Sequence, residues 1–230
     1  MYLAVVPAFN EEKTIGKVIR KLQKYVDCVI VVDDYSTDAT GKIAKEHGAI
    51  VLRHLQNRGV GAAMITGINY AKKLKPKIVI TMDADGQHDP EDIPRIVQPI
   101  LNGTADCVLG SRFLKGPQDN MPLMKKIGNK LLTFIIRILA GVHLTDAQTG
   151  FRALNQKALS LLNLSSEFTY TQEMILILSH KGCRFIEIPI ESIPRKYGSS
   201  KVVSSILRYC VNSFKIIFAT YLRLKLRRRD

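Results

Sequence analysis

KIVITMDADGQHDP, residues 77–90, joins an apolar strand to an acidic turn. Lys77 to Met82 is a β-branched run of the length a buried strand takes, and the residues after it are polar. Asp83 and Asp85 close that strand with one small residue, Ala84, between them. The two-residue period of an extended chain points both carboxylates to the same side, so they can share one cation. Asp89 before Pro90 reads differently, as a helix N-cap and first helical position.

Working back towards the N-terminus, the same alternation repeats. LAVV at 3–6 precedes a helical pattern from Glu11 to Tyr25, CVIVV at 28–32 precedes Thr37 to His47, and IVL at 50–52 precedes Val60 to Leu74. Strand and helix alternating at this spacing predict an α/β fold, a Rossmann-like, mostly parallel sheet with helices on both faces and right-handed crossovers. Ligands of such sheets bind beyond the carboxyl ends of the strands. Pro7 to Glu11, Asp33 to Asp38 and Asp83 to Gln87 all fall there, so three strand ends bring carboxylates to one crevice. A hard divalent ion held by one or two carboxylates and completed by substrate phosphates and water fits Asp83 and Asp85. Asp34 is placed to accept from a base N–H or a ribose hydroxyl, whereas Asp38 reads as a helix cap. Gly59-Val60-Gly61 looks like the start of a dinucleotide fingerprint, but it follows the third strand and lacks the third small residue. Those glycines are expected to serve close backbone packing in the sheet crossover.

The chain has 230 residues, 46% of them hydrophobic and 23% charged, which suits one folded domain and excludes a disordered chain. Its charge of +14 is uneven, because residues 1–120 carry 16 basic and 14 acidic side chains and residues 121–230 carry 18 and 6. A basic half calls for a polyanionic partner. Cys28, Cys107, Cys183 and Cys210 lie far apart in apolar runs and read as buried hydrophobes in a reducing compartment. No secretory leader is visible, and the run Leu131 to Val142 is too short to span a bilayer.

In the second half, Gly110-Ser111-Arg112, the stretch Asp146 to Arg152, Glu173, and Arg195 to Lys201 add polar and cationic groups around the same crevice. Such cations suit a diphosphate-bearing donor whose leaving group must be neutralised. Val203, Leu207, Cys210, Phe214, Ile217 and Tyr221 recur at helical spacing, predicting an amphipathic helix over 201–230 with eight basic residues and one acid. A catalytic domain over 1–200 followed by this basic helix on an anionic membrane surface is the expected organisation.

The ordered set PAFNEE, VVDDYSTD, MDADGQHDPEDIP, GSRF, DAQTGF and RKYGSSK resembles family 2 glycosyltransferases of the GT-A fold, most closely the dolichyl-phosphate mannose synthase and dolichyl-phosphate glucosyltransferase group. The resemblance runs from Val5 to about Lys201. It implies that Pro7, Phe9, Glu11, Val32 and Asp34 hold the nucleoside, with Ala84 beside them. It also implies that Asp83, Asp85 and Gln87 bind Mg²⁺ or Mn²⁺ with the donor diphosphate. Arg112, Arg195 and Lys201 would contact phosphates of donor or acceptor, and Asp83, Asp85, Arg112 and Asp146 would carry catalysis. Phe9 stands where the family usually has Tyr, which keeps ring stacking and loses a hydroxyl. Lys125 and Lys126 occupy the segment where an acceptor-side Arg is expected.

The implied reaction moves a hexose from a nucleotide-sugar, GDP-mannose or a UDP-hexose, to a polyprenyl or dolichyl phosphate at the cytoplasmic membrane face. A phosphate monoester loses its second proton at a pKa of about 6, so this nucleophile needs no strong base. A sugar-hydroxyl acceptor would need one, with Asp146 or Glu173 as candidates. A non-catalytic nucleotide- or nucleic-acid-binding module is the rival reading. Against nucleic acid, the C-terminal basic residues interleave with an apolar stripe and not with stacking aromatics.

Overall fold

A computed structural model describes residues 1–116, 121–195 and 206–226, with side chains from 209 onward in the last segment. The first half follows the predicted alternation: β1 (Tyr2–Ala8), α1 (Ile15–Leu22), β2 (Cys28–Asp33), α2 (Thr40–Glu46), β3 (Ile50–Arg53), α3 (Val60–Leu74) and β4 (Ile78–Thr81). Then come a 3-10 turn (Pro90–Asp92), α4 (Ile93–Leu101), β5 (Cys107–Ser111), α5 (Leu123–Ala140), β6 (Arg152–Asn155), α6 (Gln156–Leu161), α7 (Thr171–His180), β7 (Phe185–Pro189) and α8 (Ile206–Leu226). The first helix starts later than its periodicity suggests. Residues 11–14 form a turn in which Thr14 and Ile15 donate their N–H groups to the Glu11 carbonyl.

The seven strands form one sheet in the order β3-β2-β1-β4-β6-β5-β7. All neighbours are parallel except β6, which runs antiparallel to both β4 and β5. Alternation along β1 divides the core: Leu3 and Val5 face α3, α6 and α7, while Ala4 and Val6 face α1, α2 and α4. This two-sided burial is what near-continuous apolar strands require. The small residues of α3 let it lie close to the sheet, since a Cβ on Gly67 would sit 2.3 Å from Val5. Gly61 also packs against backbone as expected, but its neighbour is the Ser166–Glu167 segment and not the sheet.

The C-terminal helix is built into the same core. α8 packs against α7 and α5, burying Ser213, Ile217, Thr220 and Leu224. Its inward line therefore differs from the predicted stripe, because Phe214 is half exposed alongside Val211, Phe218 and Leu222. Small hydroxyl residues at 213 and 220 allow close approach on the inner side, which displaces the bulky aromatics outward. α5 likewise buries Leu132 and Ile136 while leaving Leu123, Met124, Ile127, Leu131, Phe134 and Ile138 exposed. Among the described residues no helix is long and apolar enough to cross a membrane. All four cysteines are free thiols, two buried and two half-buried.

Candidate active site

The carboxyl ends of β1, β2 and β4 open into a cavity of about 980 Å³. Pro7, Phe9, Glu11, Asp34, Asp83, Ala84, Asp85, Gln87, Arg112 and Arg195 line it, so the structure gathers almost all of the sequence-predicted residues. Lys125 reaches the same cavity from the start of α5. Val32 does not; its side chain is fully buried beneath α3, where it packs against Gly67. Lys201 lies outside the described residues.

β4 delivers Asp83 and Asp85 to the cavity floor. Gly150 makes room for the first, since a Cβ there would come within 2.7 Å of Asp83 Oδ2 and 2.8 Å of the Tyr170 hydroxyl. Burial, and then the neighbouring Asp85 charge, push Asp83 up to about 7. Burial also raises Asp85, although the Gln87 N–H donates to its Oδ1 at 3.0 Å. No hydrogen bond from a described residue reaches the Asp83 carboxylate. Two partly desolvated, mutually repelling carboxylates form a donor set that a divalent cation satisfies. Among the described residues no cluster of three His, Cys, Asp or Glu supplies a complete metal cage, so phosphate oxygens would have to complete the shell.

Arg195 spans two strand ends, donating to Glu11 Oε1 at 2.6 Å and to Asp85 Oδ2 at 3.3 Å. Its segment is tied down through Gln87, whose carbonyl accepts from the Ile193 N–H at 2.9 Å and whose Nε2 donates back to the Ile193 carbonyl at 3.3 Å. Gln87, expected as a metal ligand, thus also aligns Arg195 over the carboxylates.

Asp146 and Glu173 are placed otherwise than a general base requires. Neither lines the cavity. Asp146 is fully buried and accepts Arg112 Nε at 2.7 Å, Arg112 Nη2 at 3.0 Å, Asn129 Nδ2 at 3.1 Å and the Gln148 N–H at 3.1 Å. Burial alone would raise its pKa, but the Arg112 guanidinium and these bonds hold it below the usual carboxylate range. Its work is to aim Arg112, whose charge is secured in turn: burial disfavours it, and Asp146 more than compensates. Glu173 is also fully buried, gathering the backbone N–H groups of Ser165 and Ser166 and Arg223 Nη2 of α8 at 2.8 Å.

Asp34 reaches the cavity while holding its own loop. Oδ2 accepts the Gly59 N–H at 2.7 Å, and Oδ1 accepts the Arg58 N–H at 2.9 Å and contacts His54 Nδ1 at 2.7 Å. Asp89 is the N-cap it was expected to be, accepting the Glu91 N–H at 3.2 Å, whereas Asp38 stands one residue before the N-cap of α2, Ala39, and accepts the Thr40 N–H at 2.9 Å from there. Sequence reasoning passed over Phe168, Tyr170 and Tyr209, which also line the cavity. Tyr209 carries no motif, and only the packing of α8 brings it there.

Residues 3–162 match the family model described as glycosyl transferase family 2, and the chain belongs to that family. It is a glycosyltransferase. It is 39% identical over 220 residues to the UDP-N-acetylglucosamine–dolichyl-phosphate N-acetylglucosaminyltransferase of Methanococcus voltae, covering 86% of this chain and 87% of that protein. Against the undecaprenyl-phosphate mannosyltransferase of Micrococcus luteus it is 31% identical, covering 89% and 88% of the two chains. The glucosyl-3-phosphoglycerate synthase of Mycobacterium tuberculosis, crystallised with Mn²⁺, UDP and glucosyl-3-phosphoglycerate, superposes with a TM-score of 0.72. That match covers 97% of this chain and 79% of the other at 21% identity and establishes the shared fold.

Proposed function

We propose that this enzyme transfers a hexose from a nucleotide-sugar to a polyprenyl or dolichyl phosphate, with inversion at the anomeric carbon. The observation that carries the reading is the carboxylate pair Asp83 and Asp85 on the floor of a cavity that Arg112 and Arg195 also line. Phe9, Glu11 and Asp34 would hold the nucleoside, and Asp83, Asp85 and Gln87 would hold Mg²⁺ or Mn²⁺ with the donor diphosphate. Bound there, the cation supplies Lewis-acid stabilisation of the departing diphosphate. Arg112 and Arg195 neutralise phosphate oxygens as charge moves onto the leaving group. An acceptor phosphate oxygen forms the new bond to the anomeric carbon while the bond to the diphosphate breaks, releasing a nucleoside diphosphate. The saturated environments of Asp146 and Glu173 favour this acceptor over a sugar hydroxyl, which would need a base. The names of the two relatives above, both acting on a polyprenyl-type phosphate, support the same class.

The exposed apolar residues of α5 and α8, interspersed with Lys125, Lys126, Lys130, Lys215 and Lys225, support docking on an anionic leaflet at the cytoplasmic face. Nucleic acid is not the proposed polyanion. One experiment tests both parts: purified protein, Mn²⁺ and a panel of radiolabelled GDP-mannose, UDP-glucose and UDP-N-acetylglucosamine are incubated with anionic liposomes containing polyprenyl phosphate. One donor is expected to label the lipid, and the protein to float with the liposomes at low salt and detach at high salt. Label remaining water-soluble with every donor would overturn the transfer reading. Protein staying in the supernatant at low salt would overturn the docking.

A further inference from the structure

Gln148 is held more firmly than a loop glutamine needs to be. On either side of it, the buried Arg152 guanidinium donates to the carbonyls of Ala147 (3.0 Å) and Thr149 (2.9 Å), and its third nitrogen donates to the Thr171 carbonyl at 2.7 Å. The side chain is fixed as well. Its Oε1 accepts from Gln172 Nε2 at 2.6 Å and from the Tyr209 hydroxyl of α8 at 2.8 Å. Gln172 Oε1 in turn accepts the Thr169 and Thr171 hydroxyls at 2.9 and 2.8 Å, so its NH₂ faces Gln148. Phe168 packs against the Tyr209 ring, with centroids 5.7 Å apart.

All of this bracing leaves one group over. Gln148 Nε2 is buried and has no hydrogen-bond partner among the described residues, although Gln148 lines the cavity. A buried amide NH₂ carries two donors and costs free energy when they are unused, so a site that holds one rigidly is built for an acceptor that arrives. Gly150, two residues along, abuts the Asp83 carboxylate, which lines the same cavity as Gln148. The acceptor's chemistry follows from the neighbours. Arg112 and Arg195 offer charge, whereas the side-chain partners of Gln148 are an amide and a hydroxyl, the set that reads neutral oxygen.

We propose that Gln148, braced by Gln172 and Tyr209, is a sugar-reading residue whose Nε2 donates to a hydroxyl or N-acetyl oxygen of the transferred hexose. This rests on the nucleotide-sugar reading above. The C-terminal helix thereby contributes to donor selection through Tyr209 as a positioning residue, besides any contact it makes with lipid.

The test compares wild type with Gln148→Met, which keeps the length and removes the amide, and with Tyr209→Phe, which keeps the ring and removes the brace. Calorimetry with Mn²⁺ measures the nucleoside diphosphate and the matching nucleotide-sugar separately, and transfer is assayed with the same donor and its monodeoxy sugar analogues. Losing one well-made hydrogen bond should weaken nucleotide-sugar binding and kcat/KM about tenfold in Gln148→Met, leaving the nucleoside diphosphate Kd unchanged. One analogue should be as poor with wild type as the full donor is with Gln148→Met, and the variant should lose nothing further on it. Tyr209→Phe should show a smaller loss of the same pattern. Equal losses for nucleoside diphosphate and nucleotide-sugar would overturn the proposal by making Gln148 merely structural. A raised acceptor KM with intact donor binding would overturn it by assigning the amide to the acceptor phosphate. If wild type binds the nucleoside diphosphate but no nucleotide-sugar, the sugar reading falls alone. If it binds neither, the proposed function falls with it.

Discussion

Asp85→Ala is expected to lower transfer at least about a thousandfold, because a catalytic cation is worth several kcal/mol of transition-state stabilisation and each 1.36 kcal/mol is tenfold in rate. The loss should be one of chemistry and not of folding. Asp85 stands in a polar turn outside both apolar cores, and Arg195 keeps its 2.6 Å partner Glu11 when the carboxylate goes. Thermal melting of the variant should therefore match wild type while Mn²⁺-dependent nucleotide binding disappears. The pH dependence follows with a definite sign. Burial and then Asp85 push Asp83 up to about 7, against about 3.9 in an unfolded chain. Between those values the cation-free folded protein keeps a proton that the unfolded chain has lost, so this group lowers stability as pH rises through the window. Cation binding needs the ionised pair and should strengthen as pH rises through about 7, with proton release below it. Calorimetry in buffers of different ionisation enthalpy reads that release. Full transfer by Asp85→Ala, or by wild type in excess EDTA, contradicts the assignment.

Arg112→Lys should cost about a hundredfold in kcat with little change in donor Kd, the scale of losing one preorganised donor to developing charge. The substitution keeps the positive charge near Asp146 but not the fork that engages both of its oxygens at 2.7 and 3.0 Å. A lysine ammonium is a point charge on a flexible stem, so its position relative to the diphosphate is no longer set. Arg112→Ala is a poorer probe, because it strands a fully buried carboxylate, a loss that typically costs about 3–5 kcal/mol of stability. Asp146→Asn gives the complementary check. It leaves Arg112 in place with a weaker anchor and should reduce kcat less than Arg112→Lys does. A variant Arg112→Lys whose kcat stays within a factor of two of wild type would remove Arg112 from the charge-stabilising role.

The strands and the carboxylates at their ends were legible in the sequence because both follow from local rules. β4 and Asp83 are read from hydrophobic run, small spacer and acid, with no knowledge of what packs above them. Asp146 illustrates the opposite case. Its acidity and place in a polar motif suggested a base, yet its role is set by Arg112, 34 positions away, and by Asn129 of α5. Glu173 likewise takes its meaning from Ser165, Ser166 and Arg223, the last 50 residues distant. Val32 shows a further limit, since a strand-end position is shared by residues facing the crevice and residues facing the core. In α8 the helical period was plain, but the face that turns inward depended on Ser213 and Thr220 fitting against α7 and α5, which periodicity of apolar residues does not register. Tyr209 was invisible for the same reason.

The most direct measurement of the central claim is transfer by the purified enzyme to a short polyprenyl phosphate and to the free prenol of equal length, with the best donor and Mn²⁺. The phosphate's second proton leaves at a pKa of about 6, and among the described residues the one cavity-lining carboxylate besides the proposed cation and nucleoside ligands, Glu167, is already paired with the Arg58 guanidinium. Product should form on the phosphate only, with a rate that rises as that proton is lost. Comparable transfer to the prenol, or to a simple sugar, would contradict a lipid-phosphate acceptor.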